Sequence, residues 1–384
     1  RVKRGDDVYL TKTCLEDGTF ESVIWRGPPS FTEWMRPKTP AYPETPFTAV
    51  ERGCPFDCGL CPDHRQQTCT ALLEVTQRCD LGCPYCFASS GGGHRPDPTL
   101  ATIEDWYRRL LDAGGPYNVQ LSGGEPTVRD DLPEIVALGR RLGFDFIQVN
   151  TNGLRFAREP AYLEALREAG LVSVFLQFDG TTDEIYEQLR GQSLLVEKRL
   201  AIAHCAELGL GVVLVPTVVP GVNVHDIGAT IDFALDHVPT VRGVHFQPVS
   251  YFGRYPEAPV DGDRITIPEI VCAIEAQTGG RIWLDDFRPP GCENAWCSFH
   301  GNFVLMPDGV LRPWVKERAD SCCCEAEPAE EGARKARSFV ARYWIAPGTE
   351  TEGAPDNKAG YGLGEWETFL SRVRPHTFCI SGMA

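Results

Sequence analysis

From residue 70 onward the sequence alternates short apolar runs with amphipathic stretches of helical period. The apolar runs are 71–76, 119–122, 144–150, 172–178, 211–219 and 243–249, and the helical stretches between them are about 102–113, 132–142, 161–169, 194–208 and 227–236. Such an alternation predicts a parallel sheet whose strands are joined by right-handed helical crossovers. We therefore expect an α/β protein whose polar strand ends carry its chemistry, as in barrels of this type.

Three regions are expected along the chain. Residues 1–69 carry Pro, Gly and Cys without helical periodicity, which indicates a loop-rich head held together by metal. Residues 70–255 hold the strand–helix alternation, and residues 256–384 form a C-terminal extension. Within the extension, the stretch from about 321 to 357 is rich in Glu, Ala, Gly and Pro and is expected to be a poorly ordered connection.

Charge and hydropathy narrow the class of protein. A formal net charge of −16 repels phosphate backbones, which argues against broad nucleic-acid binding. No apolar run approaches the roughly 20 residues of a membrane span. The first residues do not lead into an apolar stretch like that of a signal peptide, so we expect a cytoplasmic location.

Sixteen cysteines are unusual for such a chain, and clustered cysteines in a cytoplasmic protein indicate metal or redox chemistry. Cys79, Cys83 and Cys86 form a C-x3-C-x2-C triplet directly after the first predicted strand. Three thiolates can hold a [4Fe–4S] cube and leave one iron free to chelate the amino and carboxylate groups of S-adenosylmethionine (SAM). The alternative is a zinc site completed by a distant fourth ligand.

A second motif follows the second predicted strand. It is Ser122-Gly123-Gly124-Glu125-Pro126. The two glycines allow a backbone to approach a ligand closely, and Glu125 offers an acceptor to an ammonium group.

These two motifs, in this order, resemble those of the radical SAM superfamily. The resemblance implies a partial (βα)6 radical SAM barrel with Cys-rich N-terminal and C-terminal extensions. It also implies that the backbone and Glu125 of the second motif contact the methionyl amino group of SAM, and that Tyr85 packs near the adenine. The cluster would then cleave SAM reductively to a 5'-deoxyadenosyl radical that abstracts hydrogen from substrate.

Polar residues follow the later strands, at Asn152, Gln177, Asp179 and Gln247. Members of the superfamily bind ribose and adenine at this rim, so the resemblance makes these residues candidate cofactor contacts. The alternative is turn chemistry, because Asn-Gly and Asp-Gly are favoured turn dipeptides.

The C-x3-C-x2-C spacing occurs a second time, at Cys54, Cys58 and Cys61, with Cys69 following. Because this group precedes the barrel, we interpret it as an auxiliary [4Fe–4S] cluster, with structural zinc as the alternative. Its fourth ligand is left open among Cys69, Cys292, Cys297 and His64.

Residues 50–250 resemble the branch of the superfamily that includes tetraether lipid synthases and pterin-modifying methylases. That resemblance implies radical alkylation or carbon–carbon bond formation on a small-molecule substrate. It also implies an electron donor such as flavodoxin or ferredoxin.

Three adjacent cysteines, Cys322, Cys323 and Cys324, suggest an alternative function. They are suited to a soft element such as arsenic or selenium, and a shorter, selenoprotein-related branch of the family makes this chemistry the second hypothesis. They also fit a solvated tail. The third hypothesis is a non-enzymatic Fe–S or zinc redox module. Cys205 and Cys272 lie in apolar helical patterns and are expected in the core.

Overall fold

The computed structural model describes residues 1–53, 56–57, 60–65, 67–91, 96–314, 326–347 and 373–383. The N-terminal region begins with a three-stranded antiparallel sheet of β1 (Val2–Arg4), β2 (Asp7–Cys14) and β3 (Gly18–Trp25). A short strand, β4 (Lys38–Thr39), follows. The head, which was expected to be loop-rich, therefore contains a β-sheet. Buried and exposed positions alternate only weakly along its strands β2 and β3.

The central sheet arises in chain order from β5 (Thr70–Thr76), β6 (Asn118–Gly123), β7 (Ile147–Thr151), β8 (Ser173–Gln177), β9 (Gly211–Val215), β10 (Thr217–Val218) and β11 (Val241–Pro248). Strands β5 to β9 pair in sequence with parallel register, β11 pairs with β9, and β10 pairs with β11. This is the predicted α/β fold with a parallel, partial-barrel sheet. Each of the six predicted apolar runs overlaps a strand.

Helices connect these strands: α1 (Leu100–Asp112), α2 (Leu132–Arg141), α3 (Leu154–Arg158), α4 (Pro160–Glu168), α5 (Asp183–Arg190), α6 (Leu195–Glu207), α7 (Ile227–Asp236) and α8 (Ile267–Gln277). Single 3-10 turns lie at Pro126–Val128, Val224–Asp226, Asp261–Asp263, Leu284–Asp286 and Arg374–His376. The helices pack on one face of the sheet, where Val119, Leu121 and Val174 join Tyr107 and Ile135 in the main core. The opposite face, here called the inner face, is therefore free of crossover helices.

The C-terminal region supplies β12 (Ser298–Leu305), β13 (Leu311–Pro313), β14 (Glu327–Pro328), α9 (Ala329–Tyr343) and β15 (Thr377–Met383). Strand β15 pairs in parallel with β11 and so continues the barrel sheet, and β12 and β13 extend it in antiparallel register. Strand β14 pairs with β4 of the head. The expectation of a poorly ordered connection at 321–357 was wrong for residues 326–347, the part that the structure describes, because they form β14 and α9.

The chain after α9 closes the amino-terminal end of the sheet. A Cβ on Gly211, the first residue of β9, would lie 2.3 Å from the carbonyl oxygen of Trp344. The guanidinium of Arg242 donates to the carbonyl of Tyr343 over 2.8 Å. Access to the inner face therefore comes from the carboxyl ends of the strands. In the described part of the chain no helix has the length and apolar character that a membrane crossing needs.

Candidate active site at the carboxyl ends of the sheet

Three thiols lie on the loop that follows β5. Cys79, Cys83 and Cys86 belong to one apolar cluster with side chains of the neighbouring loop and helices. The backbone N–H of Leu81 points at the Cys79 sulfur over 3.4 Å. Burial raises the pKa of the Cys79 thiol to about 12, so metal binding has to displace its proton.

The two motif glycines hold this loop against β6. The N–H of Gly124 donates to the carbonyl of Thr76, and the N–H of Glu125 donates to that of Arg78, each over 2.8 Å. A Cβ on Gly123 would lie 2.0 Å from the Thr76 oxygen, and one on Gly124 would lie 2.1 Å from the Arg78 oxygen. The approach that the structure shows for these glycines is therefore to the strand that leads into the thiol loop.

The segment after β11 holds the same loop from the other side. Arg254 exchanges two backbone hydrogen bonds with Cys86, over 2.9 and 2.8 Å. Its side chain donates to the carbonyls of Cys83 and Ser90, over 2.7 and 3.1 Å. Arg254 was not predicted as a site residue, because nothing in the neighbouring sequence distinguishes it from other surface arginines.

Glu125 is buried and already has several partners. Its Oε1 accepts hydrogen bonds from the Thr127 backbone, the Thr127 hydroxyl and the Thr151 hydroxyl, and its Oε2 accepts one from the Asn152 backbone. Burial raises the pKa of the carboxyl, and these donors oppose that shift. Oε2 retains acceptor capacity, so the predicted contact with an ammonium group falls to this oxygen.

Asn152 and Gln177 lie beside a buried lysine that sequence analysis missed. The ammonium of Lys198 donates to the carbonyl of Asn152 over 2.5 Å and to Oε1 of Gln177 over 3.1 Å. The Asn152 amide also donates to Asp80 of the thiol loop over 2.7 Å. Burial lowers the pKa of Lys198 to about 8. Both predicted residues thus lie beside the thiol loop. Asn152 is hydrogen-bonded to the loop residue Asp80, and both Asn152 and Gln177 are hydrogen-bonded to Lys198.

Asp179 does not offer a free carboxylate. Its two oxygens accept a bidentate pair from Arg190 over 2.7 and 2.6 Å, and one also accepts the Thr217 N–H. Burial alone would lower the pKa of Arg190, but Asp179 and the Cys83 sulfur raise it above its usual value. Asp179 therefore orients Arg190, which touches Cys83 and donates to the carbonyl of Tyr85 over 3.3 Å.

The remaining candidates lie around the same rim. Tyr85 packs against Ile185, Leu189 and Val219. Ser122 accepts a hydrogen bond from the Asn150 amide over 3.3 Å. Gln247 is partly exposed on β11, beside the short strand β10.

A second group of metal-ligand side chains lies in the region that joins the head to the extension. Ligand atoms of Cys69, Cys292 and Glu293 all lie within 4.8 Å of one another. A hydrogen bond between the two thiols lowers the pKa of Cys69 and, together with burial, raises that of Cys292. Lys38 donates to the carbonyl of Glu293.

The other predicted ligands are not brought into this group. Cys61, His64 and Cys297 lie outside it among the described residues. Cys54 and Cys58 lie outside the described residues, as do Cys322, Cys323 and Cys324. Cys205 is a buried core residue, as predicted, whereas Cys272 is only half-buried and donates to the carbonyl of Pro28.

Known proteins that resemble this chain show the family to which it belongs. Residues 73–234 match the family profile described as the Radical SAM superfamily. Over 285 residues the chain is 41% identical to the 7,8-dihydro-6-hydroxymethylpterin dimethyltransferase of Methanocaldococcus jannaschii, a match that covers 73% of this chain and 56% of that one. This chain belongs to the radical SAM superfamily. It is an enzyme, and its cofactors are those of the superfamily, a [4Fe–4S] cluster and SAM.

Further radical SAM proteins are similar over shorter stretches. A protein of Methanothermobacter thermautotrophicus named Probable GTP 3',8-cyclase is 33% identical over 171 residues, covering 44% of this chain and 55% of that one. The chain thus spans little more than half the length of these two relatives. The solved structure of methylornithine synthase (PylB) aligns over 79% of this chain and 80% of that one, with a TM-score of 0.41 and 17% identity.

Proposed function

We propose that this radical SAM enzyme joins an alkyl group to a carbon atom of a small molecule, with Cys79, Cys83 and Cys86 as the ligands of the SAM-binding cluster. The observation that carries the proposal is the 41% identity, over 73% of the chain, to a relative named as a dimethyltransferase. By the same identity, the substrate class is a reduced pterin.

The residues present fit an iron–sulfur cube. Three thiols lie on one loop within an apolar cluster, and the Leu81 N–H points at one of the sulfurs, as such sites require. When bound, the cluster and SAM supply the radical chemistry. The chain's own part is to orient the bound groups. Arg190 places a positive charge at Cys83, and Lys198 donates hydrogen bonds to Asn152 and Gln177 beside it.

We also propose an auxiliary iron–sulfur centre at Cys69 and Cys292. Two thiols and a carboxylate within 4.8 Å, beside the buried stem of Lys38, form a donor set for a soft metal centre. Cys54, Cys58 and Cys61 of the head are proposed as three ligands of the cube and Cys292 as the fourth, with Cys69 hydrogen-bonded beside it. In this division, residues 1–69 are a metal-binding head, residues 70–255 the barrel and residues 256–384 an extension that supplies Cys292. A one-electron donor such as flavodoxin or ferredoxin would reduce the SAM cluster.

The proposal is tested by anaerobic reconstitution with iron, sulfide, SAM and reductant, followed by chromatography for 5'-deoxyadenosine. Cys83→Ala is expected to abolish its formation, because two thiolates do not hold the cube. Cys14→Ala, which removes an exposed thiol, is the matched control and is expected to behave like the wild type. Undiminished SAM cleavage by Cys83→Ala would contradict the assignment.

The auxiliary centre is tested by the iron content. We expect roughly eight irons per chain in the wild type and roughly four in the triple variant Cys58→Ala, Cys69→Ala, Cys292→Ala, because the two thiolates that remain do not hold the cube. Cys272→Ala removes a half-buried thiol outside the group and is expected to keep the wild-type content. Equal iron in the triple variant and the wild type would contradict a second cube at this group.

Alkyl transfer itself is tested by mass spectrometry of 7,8-dihydro-6-hydroxymethylpterin incubated with the reconstituted enzyme. The expected product is heavier by the mass of one or two added methyl groups. SAM cleavage without any pterin product would remove the pterin from the proposal and keep the radical chemistry.

A further inference from the structure

A buried arginine reaches the thiol loop from the helix that follows β8. Arg190 is the last residue of α5, and its side chain and that of its partner Asp179 are almost completely shielded from solvent. The guanidinium donates to the carbonyl of Tyr85 over 3.3 Å and hydrogen-bonds to the sulfur of Cys83. A cation therefore contacts one of the three proposed cluster ligands directly.

The guanidinium of Arg190 is also held by partners outside the thiol loop. Its Nε and Nη2 donate to the two carboxylate oxygens of Asp179 over 2.7 and 2.6 Å, and Nη2 donates to the hydroxyl of Thr217 over 3.0 Å. Asn223, itself buried, donates to the backbone carbonyls of Asp179 and Thr217, each over 2.8 Å. Because its planar fork is bound bidentately, the guanidinium is kept in place independently of the loop.

A cation at this point favours the reduced form of an iron–sulfur cluster. Reduction by one electron adds a negative charge to the cluster and its ligand sulfurs. A hydrogen bond from a positive group to such a sulfur stabilises the reduced cluster more than the oxidised one, so the reduction potential rises. Burial limits the screening of this interaction by water and salt.

Asp179 acts on the cluster in the opposite sense. Its oxygens accept hydrogen bonds from Arg190 and from the Thr217 N–H, so its negative charge acts on Cys83 through space and partly cancels that of Arg190. The pair as a whole is neutral, and its effect is the difference between a contacting cation and an anion bonded to that cation. Removal of the anion and removal of both charges should therefore move the potential in opposite directions.

We propose that the Arg190–Asp179 pair sets the reduction potential of the cluster held by Cys79, Cys83 and Cys86. Arg190 raises the potential through its hydrogen bond to Cys83, and Asp179 positions Arg190 and limits its effect. The inference rests on the proposed cluster ligands. It adds two positioning residues that act on the uptake of the electron rather than on SAM or substrate.

The test is an anaerobic redox titration of the reconstituted protein without SAM, followed by electron paramagnetic resonance of the reduced cluster. The signal that Cys83→Ala lacks belongs to the cluster on the thiol loop. In Asp179→Asn the midpoint potential of this signal is expected to rise. At the wild-type midpoint, the ratio of reduced to oxidised cluster should be about 10-fold higher, which corresponds to about 59 mV for a one-electron couple.

The opposite shift is expected when both charges are removed. Arg190→Gln is combined with Asp179→Asn, because Arg190→Gln alone would leave a buried carboxylate without its partner. At the wild-type midpoint the ratio of reduced to oxidised cluster should fall about 3-fold, a smaller change because the two lost charges partly cancel. The matched control is Arg281→Gln combined with Asp232→Asn, which removes an exposed Arg–Asp pair and is expected to keep the wild-type potential.

Opposite shifts in the two variants would support the inference, because a loss of structure alone does not move the potential both ways. Unchanged potentials, shifts in the same direction, or loss of iron from both variants would each overturn it and leave the pair a structural role. If one variant does not retain iron, the direction of the shift in the other decides. A wild-type protein without any signal that Cys83→Ala lacks would instead overturn the proposed cluster ligands.

Discussion

Gly123 and Gly124 meet the backbone of Thr76 and Arg78 at distances that no Cβ tolerates. Glycine is required at these positions because the ends of β5 and β6 approach each other closely just before the thiol loop begins. The two glycines of the motif therefore allow the ends of two strands to pack together, and a ligand contact at this motif would be additional to that role.

The glycine contact gives a first prediction. In Gly124→Ala the new methyl group would displace residues 77–78, so we expect about 1–3 kcal/mol of lost stability and a loop that reconstitutes with less iron. Gly82→Ala is the control, because it lies in the same loop with nothing within 4 Å of the added Cβ. Iron content and thermal unfolding check the pair, and full iron loading of Gly124→Ala would contradict the prediction.

The buried histidines give a second prediction. The pKa values of His245 and His300 lie near 4 when folded, against an ordinary 6.5. Between these pH values the unfolded chain takes up protons that the folded chain refuses, so the free energy of unfolding falls as the pH drops from 6.5 to 4. Each histidine contributes on the order of 3 kcal/mol to that fall.

The measurement is urea unfolding at pH 7 and pH 5. His245→Asn is expected to flatten the difference between the two, because it removes one titrating group. His225→Asn changes an exposed ring and should preserve the wild-type difference. The same pH response in all three proteins would show that burial of His245 does not perturb its titration.

Single residues also show where sequence reasoning reaches its limit. Cys79, Cys83 and Cys86 were recognisable because their spacing is local. Arg190 and Lys198 were not, since their importance comes from helices that return to the loop after a strand. The pairing of Cys69 with Cys292 crosses most of the chain, so sequence analysis left Cys292 as one of several options.

At the level of elements, the hydrophobic periodicity predicted the strands well. Strand β8 was expected at 172–178 and runs over Ser173–Gln177, and the helix expected at 227–236 is α7 (Ile227–Asp236). The N-terminal hairpin of β2 and β3 was missed. Most of its residues are exposed or half-buried, so the alternation that marks a strand is weak.

The segment after β11 gives a third prediction, at this scale. Arg254 ties the last predicted barrel strand to the thiol loop through two side-chain and two backbone hydrogen bonds. In Arg254→Gln the side-chain bonds to Cys83 and Ser90 are lost, so amide hydrogens of residues 83–90 in the metal-free protein should exchange about 10-fold faster or more.

The matched control is Arg288→Gln, which also loses bonds to backbone carbonyls but lies away from this loop. Exchange in residues 83–90 should match the wild type in this control. Equal protection in Arg254→Gln would mean that the backbone pairing alone holds the loop.

For the whole molecule, the decisive feature is β15, which brings residues 377–383 against β11. Sequence analysis found the six strands that precede it and assigned no role to Cys379, because a strand that joins a sheet from so far along the chain leaves no local signature. A fourth prediction follows at Gly243, where a Cβ would lie 2.1 Å from the Cys379 carbonyl.

In Gly243→Ala we expect β15 to separate from β11. Limited proteolysis should then cut near residues 373–383, and the melting temperature should fall. Gly262→Ala, which meets nothing within 4 Å, should resist cleavage there. Resistance of Gly243→Ala would show that the two strands can adjust without separating.

The position of β15 also affects biogenesis. During synthesis on the ribosome, the thiol loop after β5 emerges about 290 residues before β15. Pairing of Gly243 on β11 with Cys379 on β15 must wait until β15 has been made. During that interval the edge of β11 that later pairs with β15 lacks its strand partner. Synthesis of the thiol loop and closure of the sheet at β11 are thus separate in time.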